Sequence, residues 1–271
     1  MTWTAPILLA AVIPAAVLAT PSELGRCSTS PAPEPTLRPS APEAEPEPIA
    51  RYLFDAGAGR RVADVSAVSP ALDLQLVEPG AQWLDGGGLR FTGDAARSVG
   101  AASKLIDATD HSEEITVEAW VRSDRIAQEG PARIATISFG TRRDQVDLHL
   151  GQQGSALSVR VRATCGPFNW TTFPGVFTSR TDPRHVAMTF ADSVRQVYVQ
   201  GEDVGSELFD GRLGSSEGGY PLVVGKETTM NRPFRRDVLA LAIYDEALPT
   251  STIARHAVAS PAAPRLHRSG R

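Results

Sequence analysis

Lysine is nearly missing from this chain. Of its 27 basic residues only Lys104 and Lys226 are lysines; the others are arginine. The formal net charge is −4. A nucleic-acid binder needs a basic face to neutralise phosphates, so that class of partner is excluded. Cysteine is as sparse. Cys27 and Cys165 allow one disulfide at most, so this is no disulfide scaffold. Cys27 lies in a segment without folding signals, which argues for a free thiol there and a small, partly buried residue at Cys165. Long apolar runs are missing too. Residues 5–19 (APILLAAVIPAAVLA) fall short of the roughly 20 residues of a membrane-crossing helix and are broken by Pro6 and Pro14.

Several chemistries lack their residues. The histidines are His111, His149, His185, His256 and His267, and no pair has the H-x-H or H-x-x-x-H spacing of a metal site. No G-x-S-x-G elbow sits between a strand and a helix, as a serine nucleophile of that kind needs. Gly86-Gly87-Gly88 is followed by neither a helix nor the lysine of a phosphate loop, so it reads as a turn. No internal repeat and no alternation of strands with helices is visible.

What is present divides the chain. Residues 1–19 read as a secretory signal whose apolar core is residues 5–19, with Val17 and Ala19 as the small residues before a cut at Thr20, although no Lys or Arg precedes the run. Residues 20–48 read as a disordered linker. Its stretch 28–48 (STSPAPEPTLRPSAPEAEPEP) is too rich in Pro and Glu to bury apolar area. Residues 49–258 carry the folding signals, and 259–271 form a disordered tail. Abundant Ala, Gly and Arg fit a GC-rich bacterial genome. The order of segments is that of a secreted or cell-surface protein, held from a membrane or wall by its N-terminal segment. Lipid attachment at Cys27 would require a small residue before it, where Arg26 stands.

The folded part is organised around residues 114–122 (EITVEAWVR). Ile115, Val117, Ala119 and Val121 fall on one face of a strand. Glu114, Thr116, Glu118, Trp120 and Arg122 fall on the other, which needs water or polar partners. Period-2 runs recur at 49–54, 72–76, 133–139, 145–150, 156–163, 185–190 and 194–200, separated by Gly, Asp and Ser turns. Residues 221–225 and 238–244 are near-continuous apolar runs, as in strands buried on both faces. Residues 103–106 read as a helical turn, and Thr250 or Ser251 caps a short helix through Ala257. The expected fold is all-β: a two-sheet antiparallel sandwich, or jelly roll, with a short C-terminal helix, preceded by the signal segment and the Pro-rich linker.

The motifs support a family. Tyr52-x-Phe54-Asp55-x-Gly57-x-Gly59, Asp64-x-Ser66 and Leu89-x-Phe91-x-Gly93 precede the central strand. His185-Val186-Ala187-x-Thr189-Phe190, Val197-Tyr198-Val199-x-Gly201, Val224-Gly225 and Ile243-Tyr244-Asp245-x-Ala247-Leu248 follow it. In this order they resemble the LamG-like jelly-roll domains of the concanavalin A-like lectin/glucanase superfamily, over residues 49–258. The resemblance implies two curved sheets packed face to face. It also implies a rim that related domains use for structural calcium, with Asp55 and Asp64 as the candidate ligands. Against that, Leu239 stands where the last strand of such domains commonly carries Asp, and leucine cannot ligate calcium.

Glycosidases of the superfamily carry paired carboxylates on one strand. Glu114 and Glu118 share a face but lie about 13 Å apart at ~3.3 Å per residue, beyond even the inverting separation of ~6.5–9.5 Å. Catalysis is therefore not expected from this strand. The best binding candidate is residues 165–178 (CGPFNWTTFPGVFT), where Asn169 and Trp170 combine an amide with an aromatic face suited to a sugar. The competing reading packs Phe168, Trp170, Phe173 and Phe177 into the core. Asn169-Trp170-Thr171 is also a glycosylation sequon. The expected function is an extracellular, non-catalytic binding module for a glycan or a surface protein, with no cofactor beyond the doubtful calcium. The alternatives are a degenerate glycosidase-like enzyme and a purely structural or adhesive surface module.

Overall fold

The central run forms a strand because its β-branched residues and tryptophan suit a pleated surface, and its inward residues find an apolar partner sheet. The computed structural model describes residues 45–259, except 78–80, 124–127, 129, 166–169, 179–181, 215–218 and 230. The expectations for the signal segment, for residues 20–44, for Cys27, for Phe168 and Asn169, and for the tail from 260 onward lie outside the described residues.

Among the described residues, sixteen strands and two α-helices follow in chain order. β1 is Ala50–Tyr52, β2 Arg61–Val62, β3 Leu74–Val77, β4 Gln82–Trp83, β5 Leu89–Phe91 and β6 Ala95–Ser98. After α1 (Ser103–Ser112) come β7 Ile115–Arg122, β8 Ala132–Ser138, β9 Val146–Gln153, β10 Ala156–Val161 and β11 Thr171–Phe173. β12 is Arg184–Ala191, β13 Val194–Val199, β14 Glu202–Leu208, β15 Leu222–Val224 and β16 Arg236–Tyr244, followed by α2 (Thr250–Val258). One sheet runs β14-β13-β12-β7-β16-β5-β4, with β1 also paired to β16; the other runs β11-β10-β9-β8-β15-β6-β3-β2. The chain is a two-sheet antiparallel β-sandwich with a short C-terminal helix.

The two sheets enclose one apolar core. Val117, Ala119 and Val121 of β7 meet residues such as Leu148, Leu150, Leu157 and Val159 of the opposite sheet in a single buried cluster. Each fully buried Val, Leu or Phe contributes about 1.5–3 kcal/mol. β16 is covered on both sides, as its continuous apolar run requires. Leu241 and Ile243 face the core, while Ala242 and Tyr244 join Ala187, Tyr198, Leu248 and Ile253 in a small second cluster. That cluster seats α2 on the outer face of the first sheet.

Two local expectations are corrected. The turn at 103–106 is the start of a ten-residue helix, α1, ended by Glu113 in the left-handed conformation (φ 60°). Only Leu105 and Thr109 are buried along it, so the sequence holds little of the apolar stripe that would mark its length. Cys165 is disulfide-bonded and not a lone small residue; its partner falls outside the described residues.

Candidate functional site

The polar face of β7 finds its partners within the protein. Glu118 is wholly buried. Its Oε2 accepts from His185 Nε2 at 2.8 Å and its Oε1 from His256 Nδ1 at 2.8 Å. His256 Nε2 meets Glu45, so both ring nitrogens face carboxylates and the ring is held as the cation. Burial disfavours that charge, but Glu118 and then Glu45 outweigh it and raise the His256 pKa. Burial would likewise raise Glu118, yet His185 and His256 draw it below its ordinary value. Glu114 Oε2 accepts from the backbone N–H of Ala247 at 2.8 Å. Both acids of the strand are committed to structure. Beside them a cavity of about 220 Å³ is lined by Trp120, Tyr244, His256, Arg51 and residues 46–48.

Asp64 is likewise spent. Its Oδ1 accepts the backbone N–H groups of Arg51 and Ser66, and its Oδ2 that of Leu72, at 2.9–3.0 Å. Lys104 Nζ completes the set at 2.8 Å from Oδ2 and also donates to Ser66 Oγ (3.1 Å) and to the carbonyl of Val68 (2.5 Å). One of the two lysines thus puts an ammonium where a carboxylate, a hydroxyl and a carbonyl converge. Burial alone would raise the Asp64 pKa; the Leu72 N–H, Lys104 and the other donors lower it. Asp55 is exposed and outside this network. Among the described residues no group of three or more His, Cys, Asp or Glu could hold a metal ion.

The aromatics of residues 165–178 separate. Phe177 is buried in the core, and Phe173 packs against it. Trp170 does neither. In β11, Phe173 pairs with Leu157 and Thr171 with Val159, both core-facing residues of β10. Alternation then turns Trp170 outward. It lies half-buried over the outer face of the second sheet. Its ring centroid is 4.7 Å from the guanidinium carbon of Arg133, 5.3 Å from that of Arg160 and 4.6 Å from the His149 ring, which it meets edge-on.

The bed beneath Trp170 is cationic and dry. Arg160 and His149 are fully buried and Arg133 is 1% exposed. Arg133 Nη1 lies 2.9 Å from His149 Nδ1. A guanidinium only donates, so Nδ1 accepts and the imidazole proton sits on Nε2. Burial, then the charges of Arg133 and Arg160, hold His149 well below its ordinary pKa and therefore neutral. Burial lowers Arg133 to about 10 against the pull of Glu227, which leaves it charged at neutral pH. The His149 ring reaches over Gly151, where an added Cβ would lie 2.3 Å from its Cε1. None of Arg133, His149 or Arg160 stands out in the sequence as more than an alternating polar residue. The available signal was their register: three consecutive strands put these long side chains on one outer face.

The fold is a two-sheet antiparallel β-sandwich with a partly buried aromatic residue, Trp170, on the outer face of one sheet. The family comparison agrees: residues 95–254, more than half of the chain, match the model described as the concanavalin A-like lectin/glucanases superfamily, and the chain belongs to that family. No curated protein matches it in sequence. Among solved structures it is similar to the receptor-binding domain of botulinum neurotoxin mosaic serotype C/D (TM-score 0.57, 11% identity, 78% of this chain and 50% of that one). It is also similar to the Trypanosoma rangeli sialidase in complex with sialic acid (TM-score 0.54, 17% identity, 75% and 31%). A third is the Ruminococcus gnavus IT-sialidase CBM40 bound to α2,3 sialyllactose (TM-score 0.50, 15% identity, 63% and 96%). The chain therefore spans half of the toxin domain's length and about a third of the sialidase's. At these identities the likeness is one of fold.

Proposed function

We propose that this protein is a non-catalytic binding module, secreted or held at the cell surface, that recognises a glycan or a surface protein through the outer face around Trp170. The observation that carries the reading is the position of Trp170. It is a large aromatic kept out of the core, fixed by two guanidiniums and an imidazole, and still partly exposed. A rigid aromatic platform suits the apolar face of a sugar ring, because little freedom remains to be lost on binding. Binding modules of similar fold, one of them holding sialyllactose, support the reading. The structural commitment of Glu114 and Glu118 supports the absence of glycosidase chemistry on β7. The disulfide at Cys165 supports an oxidising compartment, in keeping with the signal-like N-terminus.

The test is a glycan array probed with the full chain and with Trp170→Ala. Binding by the parent and its loss in a folded variant is the expected outcome. Equal binding by both proteins would remove Trp170 from the site. Hydrolysis of any arrayed glycan would overturn the non-catalytic part of the reading.

A further inference from the structure

The outer face of the first sheet is hollow where its strands carry their smallest side chains. Ala240 and Ala242 of β16 form the floor of the cavity of about 220 Å³, paired with Trp120 of β7 and Arg51 of β1. Trp120, Tyr244 and Arg51 stand around that floor as walls, and Pro46, Glu47 and Pro48 border the remaining side. The border is tied down at Glu45, which holds Arg255 and His256 of α2. The space is below the ~300–1,000 Å³ of a drug-sized pocket and suits a single sugar ring.

The polar groups around it divide in two. Glu45 and His256 are spent on each other and on Arg255 and Glu118. Tyr244, Arg51 and Glu47 are not. Tyr244 is only 5% exposed and lines the cavity, yet its hydroxyl makes no hydrogen bond among the described residues. A tyrosine this buried ordinarily finds a partner for its hydroxyl. The side chains of Arg51 and Glu47 are exposed and likewise form no hydrogen bond or ion pair among the described residues. A hydroxyl, a donor fork and an acceptor therefore stand uncommitted around alanine methyls and aromatic rings.

We propose that this cavity is a second binding site, separate from the Trp170 face on the opposite sheet, and that it takes one neutral sugar ring, the terminal residue of a glycan. Trp120 and Tyr244 offer apolar surface to the face of the ring. The sugar hydroxyls, each both donor and acceptor, suit Arg51, Glu47 and the Tyr244 hydroxyl in turn. Two carboxylates, Glu45 and Glu47, and two cations, Arg51 and His256, line the cavity, so a charged substituent gains nothing over a neutral one. Residues 46–48 close one side, which admits a chain end and not the middle of a chain. Occupation breaks no contact within the protein, because the groups that would hold the sugar hold nothing else.

The experiment titrates the full chain by calorimetry with the methyl glycosides of glucose, galactose, mannose and N-acetylglucosamine, and with glucuronic acid as the charged comparison. Tyr244→Phe, Arg51→Ala and Trp170→Ala are titrated alongside. At least one neutral glycoside should bind the parent and Trp170→Ala alike. Tyr244→Phe and Arg51→Ala should each weaken that binding by about tenfold, the loss of one hydrogen bond. Both should leave Tm unchanged, since neither side-chain group removed has a partner in the protein. No binding of any neutral glycoside would overturn the inference, as would tighter binding of glucuronic acid. Binding that neither Tyr244→Phe nor Arg51→Ala weakens would overturn it too; if Trp170→Ala abolishes that binding, the sugar lies on the Trp170 face and the proposed function stands. A blank glycan array would count against the Trp170 face alone if a neutral glycoside still binds here.

Discussion

Glu118 Oε1 lies 2.8 Å from Nδ1 of His256, so a single buried carboxylate joins the middle of the central strand to the last helix of the domain. The other oxygen holds His185 of the neighbouring strand β12. α2 is thereby fixed to the first sheet by an ion pair as well as by the apolar contacts of Leu248 and Ile253.

This clasp is pH-dependent in a defined window. His256 has a raised folded pKa, so its contribution is complete below the ordinary histidine value and is lost as pH rises through the raised one. Glu118 has a lowered folded pKa, so its contribution is present above the ordinary glutamate value and is lost as pH falls through the lowered one. Stability should peak between the two. His256→Gln should cost about 1 kcal/mol inside that window, read as a fall of about 2–4 °C in Tm. It should also flatten the decline on the alkaline side. A variant profile parallel to that of the parent would rule the clasp out.

Lys104→Met should be among the most damaging single changes. It leaves the buried Asp64 carboxylate without its cation, and removal of one partner of a buried pair costs about 3–5 kcal/mol. The same geometry bears on calcium. Because the Lys104 ammonium already meets the Asp64, Ser66 and Val68 oxygens, millimolar calcium should leave the Tm of the unaltered protein unchanged. A calcium-dependent rise abolished by Asp55→Asn or Asp64→Asn would restore the rim site that the family resemblance implies.

Trp170→Ala and Phe177→Ala should behave differently. Phe177 is a core residue, and its truncation should cost about 3–5 kcal/mol. Trp170 lies outside the core, so its loss forfeits cation–π contacts of about 0.5–2 kcal/mol while letting water reach the guanidiniums. Denaturant melts of the two variants separate these outcomes. Equal destabilisation would mean that Trp170 serves the fold.

Gly225 and Gly57 form a matched pair. Both have positive φ, 88° and 69°. A Cβ on Gly57 meets nothing within 4 Å, whereas one on Gly225 falls 2.3 Å from the Phe91 ring. Gly57→Ala should cost only the backbone strain, about 1–2 kcal/mol. Gly225→Ala should add overpacking of about 1–3 kcal/mol. A Tm series on the two variants checks the difference.

The period-2 pattern was enough for the sandwich. Residues 114–122 alternate so cleanly that β7 could be placed with one face in the core, and residues 238–244 are so continuously apolar that cover on both sides was required. The spacing of Glu114 and Glu118 argued against catalysis by β7 before any partner was known. Trp170 was legible as a candidate, but not its placement, because the same aromatic run could have entered the core.

That choice was made by register. Thr171 and Phe173 pair with inward residues of β10, which turns Trp170 outward. Strict alternation along β8 would put Arg133 on the same face as Ala135 and Ile137. The bulge between Arg133 and Ala135 resets the parity, so Ile134 enters the core and Arg133 joins Arg160 and His149 beneath the indole. A bulge depends on which strand lies alongside, and the partner strand is known only in three dimensions. The same holds for Lys104, which reaches Asp64 across 40 positions, and for His256, which reaches Glu118 across 138. The sequence by itself determined the layers, through the local alternation of apolar and polar side chains. The tertiary structure alone decided which charges are buried, because that depends on side chains distant in the chain meeting on one face.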